Sequence, residues 1–156
     1  MYISIDPGAT NITGYFCFWT WNKWKFHSFQ DIEWEKHIDF LNKLIEENKP
    51  ELIIYENSNY LKRAVVNKHF RNLLKSVAGI ELTCFQKSIA KQEISNITVE
   101  IIEKNWGKTN KLPGLVFLNK KWYFKDKELN DHEKDALICF YLYWNRILKR
   151  DWPFSN

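Results

Sequence analysis

Apolar and polar positions in the first thirty residues follow the patterns of β-strands. Segments 1–6 and 12–21 are largely apolar, whereas 24–29 alternates apolar with polar side chains. A continuous apolar run suits a strand covered on both faces of a sheet, and strict alternation suits a half-exposed edge strand. The pattern therefore predicts three consecutive strands, the last two joined by a hairpin turn at Asn22-Lys23.

Helical spacing of apolar residues replaces this pattern after residue 32. It predicts a helix over 33–48, which Pro50 closes. The apolar run ELIIYE at 51–56 follows directly. Its length and its flanks predict a buried strand rather than another helix.

The middle of the chain continues to alternate between helical and strand-like patterns of apolar residues. Segment 61–77 predicts a second helix, and Gly79 is expected to end it because glycine readily adopts the left-handed C-cap conformation. The apolar stretch 80–85 predicts a fifth strand. Segment 87–106 is predicted to be partly helical, with a break or cap at Ser95-Asn96.

The C-terminal part combines a lysine-rich stretch with a long helix. Within 107–130, the pattern at 115–124 predicts a hairpin that turns at Asn119-Lys120. Asn130, followed three residues later by Glu133, has the spacing of a capping box. The last helix is therefore predicted to begin there and to run to about residue 150.

The order of these elements indicates an α/β fold in a single domain over 1–156. We predict a five-stranded mixed sheet, three antiparallel and then two parallel strands, flanked by helices. A right-handed crossover lays 51–56 parallel to the first strand and beside it. Because such strands are about 4.8 Å apart and their carboxyl ends form ligand crevices, Asp6 and Glu56 are placed to share a cation.

The first turn of the last helix adds a third group of polar residues. Asp131 and Asp135 are four apart, and His132 and Asp135 are three apart, so both pairs fall on one helical face. Asp135 stands between a polar turn and the apolar run ALICFYLYW, so it must face a crevice, a partner or a cation. If this helix packs beside the first strand, Asp135 meets Asp6 and Glu56 as an oxygen ligand set of the kind Mg²⁺ prefers.

Each of these features also has a purely structural explanation. An Asp-Pro-Gly sequence is most often a turn, and Asp131 favours the positive end of the helix dipole. A strand-ending Glu56 is usually just exposed, and a lone His132 on a helix is more often structural than a ligand. The metal hypothesis depends on the three carboxylates meeting in space.

Composition favours a folded domain without a membrane segment. Apolar residues make up 45% of the 156 residues. The longest apolar runs, 12–19 and 136–144, are far shorter than the ~20 residues needed to cross a bilayer. No leader-like segment precedes the first strand, so we expect a cytoplasmic protein. Cys17, Cys84 and Cys139 are odd in number and lie among apolar neighbours, so we predict buried free thiols.

Charge is distributed unevenly around a net charge of +4. Segment 31–51 carries seven acidic residues against three lysines, whereas 60–91 carries seven basic residues against one acid and 104–127 seven lysines against one acid. Two positive zones favour a polyanionic partner, although a solvated surface can look similar. The candidate nucleic-acid-binding residues are Tyr60, Lys62, Arg63, Lys68, Arg71, Lys75, Lys87 and Lys91.

Three short motifs stand in a suggestive order: IDPG at 5–8 with Thr13-Gly14, IYE at 54–56, and His132-x-x-Asp135-Ala136. In order and spacing they resemble the RuvC-type Holliday-junction resolvases of the RNase H-like superfamily, over residues 1 to about 143. A weaker match is IAKQ at 89–92, where such resolvases place a basic residue, here Lys91, against the scissile phosphate.

The resemblance implies an RNase H-like fold and a homodimer that resolves four-way DNA junctions by paired symmetric nicks. It also implies two Mg²⁺ ions per active site, with Mn²⁺ as a substitute. Asp6, Glu56 and Asp135 would be catalytic metal ligands, with Asp6 bridging the ions. His132 occupies a place where family members carry Asp or His, so it would bind metal or handle protons. Asp131 is the alternative fourth ligand.

Three regions depart from that pattern. The loop after Gly8 is about one residue longer than usual before Thr13-Gly14. The place where many relatives carry an aromatic wedge holds Asn59, with Tyr60 beside it. Segment 107–130 is longer than expected and carries its own lysine-rich hairpin. These differences concern sequence preference and junction handling rather than metal chemistry.

Three other functions share some of these features. An RNase H-like nuclease that cuts flaps, forks or other branched DNA would use the same metals. A sugar-kinase or actin-like ATPase shares the sequence Asp6-x-Gly8-x-Thr10-Asn11, but it needs two lobes and a second glycine-rich loop, and the chain has only five glycines. A non-catalytic nucleic-acid-binding module would account for the basic zones without using the three acids.

Overall fold

A five-stranded mixed sheet lies at the centre of the computed structural model, which describes residues 1–8, 10–57, 68–104 and 112–154. Its strands are β1 (Tyr2–Asp6), β2 (Ile12–Thr20), β3 (Lys23–Gln30), β4 (Leu52–Asn57) and β5 (Ala90–Ser95). They lie in the spatial order β3-β2-β1-β4-β5, with β1, β2 and β3 antiparallel and β4 and β5 parallel to β1. The predicted sheet type is confirmed.

Helices cover both faces of this sheet. Helices α1 (Trp34–Asn48) and α2 (Lys68–Gln86) pack on one face, and α4 (Asp131–Tyr141) packs on the other. Helix α3 (Asn96–Lys104) follows β5, and α4 continues into a π-helical turn over Leu142–Ile147. The last helix thus begins where the sequence predicts, but its regular α-helical part ends earlier.

The sheet divides the buried side chains into two clusters. Ile3 and Ile5 of β1 pack against α1 and α2, together with Ile53 of β4. Phe16 of β2 and Ile54 of β4 pack against α4. Since successive side chains of a strand point to opposite faces, a residue's position along β1 and β4 decides which helix layer it meets.

The prediction of a strand at 80–85 is wrong, because this segment belongs to α2. Val77, Ile80 and Cys84 are buried at helical spacing, whereas a strand would bury alternate residues. Gly79 does not end the helix. A Cβ atom at Gly79 would lie 2.8 Å from the side chain of Ile38, so the glycine allows α1 and α2 to pack closely.

The fifth strand lies instead at Ala90–Ser95, inside the segment predicted to be partly helical. Only Ile94 of this strand is fully buried, so it lacks the apolar pattern on which strand prediction depends. Helix α3 begins at Asn96, so the predicted break at Ser95-Asn96 coincides with the strand–helix boundary.

A small antiparallel sheet follows α3, built from β6 (Leu115–Leu118), β7 (Lys121–Phe124) and β8 (Lys127–Leu129). The hairpin predicted at 115–124 is confirmed, and it turns at Asn119 and Lys120 with φ of 51° and 64°. Two left-handed residues suit the type I′ turn that two-residue hairpins favour. The first residues of the predicted insertion, 107–111, lie outside the described part.

The three thiols are free and buried, as predicted for Cys17, Cys84 and Cys139. Among the residues that the structure describes, no helix is long and apolar enough to cross a membrane. The single domain over 1–156 and the cytoplasmic location stay predictions.

Candidate metal centre

Three carboxylates meet at the carboxyl edge of β1 and β4. Asp6 ends β1, Glu56 lies near the end of β4, and Asp135 projects from the first turns of α4. Each offers one oxygen, and these oxygens all lie within 4.8 Å of one another. The register explains the pair on the sheet, because Ile5 pairs with Tyr55 and the following residues, Asp6 and Glu56, both face α4.

A chain of hydrogen bonds fixes the loop that follows Asp6. The amide of Gly8 donates to Thr13 Oγ1 at 2.8 Å, and Ser76 Oγ of α2 donates to the Gly8 carbonyl at 2.9 Å. A Cβ at Gly8 would lie 2.2 Å from the Ile12 carbonyl oxygen, so only glycine fits there. The loop is more than a tight turn, because it holds the end of β1 against a helix.

Buried His37 continues this chain of hydrogen bonds. Its Nε2 lies 2.9 Å from the Asp31 carbonyl, which can only accept, so Nε2 carries the proton. In the neutral ring Nδ1 then accepts from the Thr13 hydroxyl, 2.6 Å away. Thr13 is therefore the residue that joins the loop to α1.

We expect Thr13→Val to lower the free energy of unfolding by about 1–3 kcal/mol, because it leaves the Gly8 amide and His37 Nδ1 without their hydroxyl partner. Urea unfolding measures this change, with exposed Thr20→Val as the matched control. A Thr13→Val protein as stable as its control would show that these hydrogen bonds do not hold the loop.

The start of α4 is fixed just as firmly. Asn130 caps the helix by accepting from the Glu133 amide at 2.8 Å, and Glu133 completes the predicted capping box. The Asn130 side chain also donates to Ser28 Oγ of β3 at 2.7 Å. A Cβ at Gly14 would lie 2.2 Å from the carbonyl carbon and oxygen of His132, so β2 and α4 touch through backbone. This contact brings α4 to the carboxylates on the sheet.

His132 lies directly against Asp6. Its Nδ1 is 2.8 Å from Asp6 Oδ2, and the Asp6 side chain is only 13% exposed. The hydrogen bond to Asp6 raises the pKa of His132, with the charges of Asp6 and Asp131 acting in the same direction and burial opposing them. Asp131 itself is exposed, and the cluster found among the described residues does not include it.

Lys134 is a site residue that sequence reasoning missed. It is 5% exposed, and its Nζ lies 3.0 Å from Asp135 Oδ1. The same ammonium lies 4.9 Å from the centre of the Trp122 ring of β7. A lysine in the polar first turn of a helix normally indicates solvent exposure, and no local signal shows that another strand covers it.

The sequence matches no protein-family model and no curated protein. The structure is similar to that of RuvC from T. thermophilus in complex with a Holliday junction substrate, at a TM-score of 0.59 and 15% identity over 88% of each chain. It is also similar to a Thermus thermophilus RuvC structure, at a TM-score of 0.59 and 13% identity over 94% of this chain and 95% of that one. The chain has an RNase H-like fold.

Within the RNase H-like fold, the predicted nucleic-acid-binding residues do not all lie near the carboxylates. Tyr60, Lys62 and Arg63 fall outside the described residues. The described basic residues of this set are all exposed, three on α2 and two beyond it: Lys68, Arg71, Lys75, Lys87 and Lys91. The N-terminal part of α2 approaches the loop after β1, where His69 Nδ1 lies 2.7 Å from Thr10 Oγ1. The α2 cations therefore flank the edge of the sheet that carries Asp6.

The structure does not bring Lys91 to the carboxylates, which corrects its predicted place beside the scissile phosphate. It pairs with Ile53, three residues before Glu56 and thus roughly 10 Å away along the strand. The pairing also turns its side chain to the α1–α2 face, where its ammonium lies 3.3 Å from Glu81. Asp6 and Glu56 face the opposite side.

Proposed function

We propose that the chain is a structure-selective DNA endonuclease that resolves four-way (Holliday) junctions by paired symmetric nicks. The observation that carries this proposal is the meeting of Asp6, Glu56 and Asp135 within 4.8 Å at the carboxyl edge of the sheet. The similarity to a RuvC structure that holds a Holliday junction substrate supports the substrate class. The exposed cations of α2 beside the same edge support a DNA partner.

The donor set fits Mg²⁺, with Mn²⁺ as a substitute, because hard divalent cations prefer carboxylate oxygens. Asp6, Glu56 and Asp135 would hold the ions, with Asp6 proposed as the ligand that both ions share. Bound there, the ions would supply an activated water and stabilisation of the leaving 3′-oxygen.

The protein's own groups fix the geometry in which that chemistry takes place. The Gly8 loop and the capped start of α4 hold Asp6 and Asp135 from opposite sides of the site. His132 Nδ1 lies 2.8 Å from Asp6 Oδ2, and the hydrogen bond between them raises the pKa of His132. We assign to His132 proton transfer or the fourth ligand position, with Asp131 as the alternative ligand.

The hairpin of β6 and β7 is the second candidate DNA contact. Val116, Phe117 and Leu118 are 45%, 50% and 58% exposed, although they are large and apolar. Lys120 lies exposed at the hairpin turn, and Trp122 links the hairpin to Lys134 beside the carboxylates. The exposed ring of Phe117, near exposed lysines, suits stacking on an unpaired base and attraction to phosphates.

We expect Phe117→Ala to weaken binding of a four-way junction about tenfold, since base stacking on an aromatic ring is worth about 1–3 kcal/mol. Fluorescence anisotropy with a labelled junction in Ca²⁺ measures the affinity. Ile32→Ala, another exposed large apolar residue outside the hairpin, is the matched control. Equal affinities for the two variants would remove the hairpin from the DNA interface.

We propose that the active form is a homodimer. Two symmetric nicks require two sites, and an isologous dimer places two identical sites about one axis. Analytical ultracentrifugation with and without junction DNA tests this proposal. A complex that contains one chain per junction and still makes paired nicks would contradict it.

Cleavage assays on matched four-way, three-way, flap and linear substrates, with nick mapping, test the function itself. We expect paired nicks at symmetric positions of the four-way junction. Equal or faster cutting of flaps or forks would instead indicate a nuclease for other branched DNA. Absence of Mg²⁺ and Mn²⁺ binding would favour a non-catalytic binding module, although the close approach of the three acids supports the enzyme.

A further inference from the structure

Lys134 is a buried cation next to the carboxylate cluster. Its ammonium nitrogen lies 3.0 Å from Asp135 Oδ1. The same nitrogen lies over the face of the Trp122 ring, 4.9 Å from the ring centre. Only 5% of the residue is exposed. An ammonium at such depth is costly unless an opposite charge is held against it. Asp135 supplies that charge, and the Trp122 ring face adds a cation–π contact.

Helix stability does not explain why a lysine is buried at this position of α4. Its amide donates to the Asn130 carbonyl at 3.0 Å, so the residue closes the first turn of α4. The positive end of the helix dipole lies there, and it disfavours a cation. The negative charge that the Lys134 ammonium contacts is that of Asp135, whose carboxylate lies with those of Asp6 and Glu56 in one cluster.

Three carboxylates within 4.8 Å of one another repel each other. We propose that Lys134 is the resident counter-ion of this cluster, held against Asp135. It offsets the repulsion while no cation is bound, and its charge weakens the binding of an incoming divalent cation. Trp122 covers the ammonium and so couples the small sheet to the cluster. This inference rests on the proposed metal site but not on the DNA substrate.

The test compares Lys134→Met, which keeps length and apolar volume, with Lys134→Arg, which keeps the charge. Thermal unfolding is followed in EDTA and in saturating Mn²⁺, and the Mn²⁺ Kd is measured by calorimetry. In EDTA we expect Lys134→Met to unfold about 5 °C below the wild type. Its stabilisation by Mn²⁺ should be larger than that of the wild type, and its Kd about tenfold tighter, because a cation next to the site is gone.

Lys134→Arg should restore the wild-type response to Mn²⁺. Lys121→Met is the control, since Lys121 forms an exposed ion pair with Glu128 on the neighbouring hairpin and should leave both readouts unchanged. The inference is overturned if Lys134→Met loses the same stability in EDTA and in Mn²⁺, or if it binds Mn²⁺ more weakly. Either result would reduce Lys134 to a packing residue.

If Lys134→Met does not fold, the double variant Lys134→Met/Asp135→Asn tests whether the loss of charge balance is the cause. It removes one positive and one negative charge, so the cluster keeps its net charge, and we expect folded protein. A double variant that also fails to fold overturns the inference. If the wild-type chain binds no Mn²⁺, the proposed metal site is contradicted. The difference in unfolding temperature between Lys134→Met and Lys134→Arg in EDTA does not depend on the metal, so it tests the role of Lys134 alone.

Discussion

Asp6→Asn is expected to abolish nicking of a four-way junction in Mg²⁺ or Mn²⁺, with a loss of at least about 10³-fold. Asp6 contacts His132 directly and lies beside Glu56, so it is the carboxylate that joins the sheet to the first turn of α4. Asparagine keeps the shape of the side chain and removes its charge. Junction affinity, measured in Ca²⁺, should stay within about threefold, because phosphate contacts dominate it.

Single-turnover cleavage of a labelled junction measures this loss. Asp126→Asn, an exposed aspartate in the turn between β7 and β8, is the matched control and should cut like the wild type. Asp135→Asn should likewise lose cleavage and keep its affinity for the junction. If Asp6→Asn still cleaves the junction, the assignment of Asp6 as a catalytic metal ligand is wrong.

Gly14→Ala is expected to be strongly destabilising, although it adds only one methyl group. Its Cβ would lie 2.2 Å from the backbone of His132, and backbone atoms cannot rotate out of the way as the end of a side chain can. Strand β2 and helix α4 would have to separate. We expect a loss of about 3 kcal/mol in the free energy of unfolding. Because Asp135 follows in the same helix, a shift of about 1 Å should also lower cleavage about 10²-fold.

Gly79→Ala is the matched control for this substitution. Its Cβ would also be close to a neighbour, at 2.8 Å, but that neighbour is the flexible end of Ile38 on the opposite face of the sheet. Helix propensity partly offsets the crowding. We expect a smaller loss of stability and normal cleavage per folded molecule. Urea unfolding and cleavage assays compare the two variants, and a Gly14→Ala protein that equals the wild type in both would refute the close approach.

The carboxylate cluster could be predicted because its signals are local. Asp6 follows an apolar strand and precedes Pro-Gly, Glu56 ends a second apolar strand, and the capping box at Asn130 locates the helix that carries Asp135. The right-handed crossover then brings the two strands side by side. Each step uses neighbours in sequence or a general rule of topology, so a single sequence contains the information.

The errors fall where distant contacts decide the outcome. The segment 80–85 is apolar enough for a strand, but Val77, Ile80 and Cys84 are buried at helical spacing against the sheet, and Gly79 serves the contact with α1. Strand β5 carries mostly polar residues because it lies at the edge of the sheet. Its hydrogen bonds with β4, and not its side chains, make it a strand.

Two lysines, Lys91 and Lys134, illustrate the same limit. Lys91 resembles a phosphate-contacting residue in sequence, yet its pairing with Ile53 turns it to the face opposite Asp6. A shift of one residue in the pairing of β5 with β4 would turn Lys91 to the other face of the sheet, and no local sequence pattern predicts that register. Lys134 has the sequence context of a solvated residue, but Trp122 of the small sheet covers its ammonium.

The proposed function requires that the oxygens of Asp6, Glu56 and Asp135 bind divalent cations. This is its central physical claim. Anomalous diffraction from crystals soaked in Mn²⁺ tests it most directly. We predict anomalous peaks among these three side chains in the wild type, and their loss in Asp6→Asn. A map at saturating Mn²⁺ with no peak between the three carboxylates, or with peaks only elsewhere on the chain, would contradict the claim.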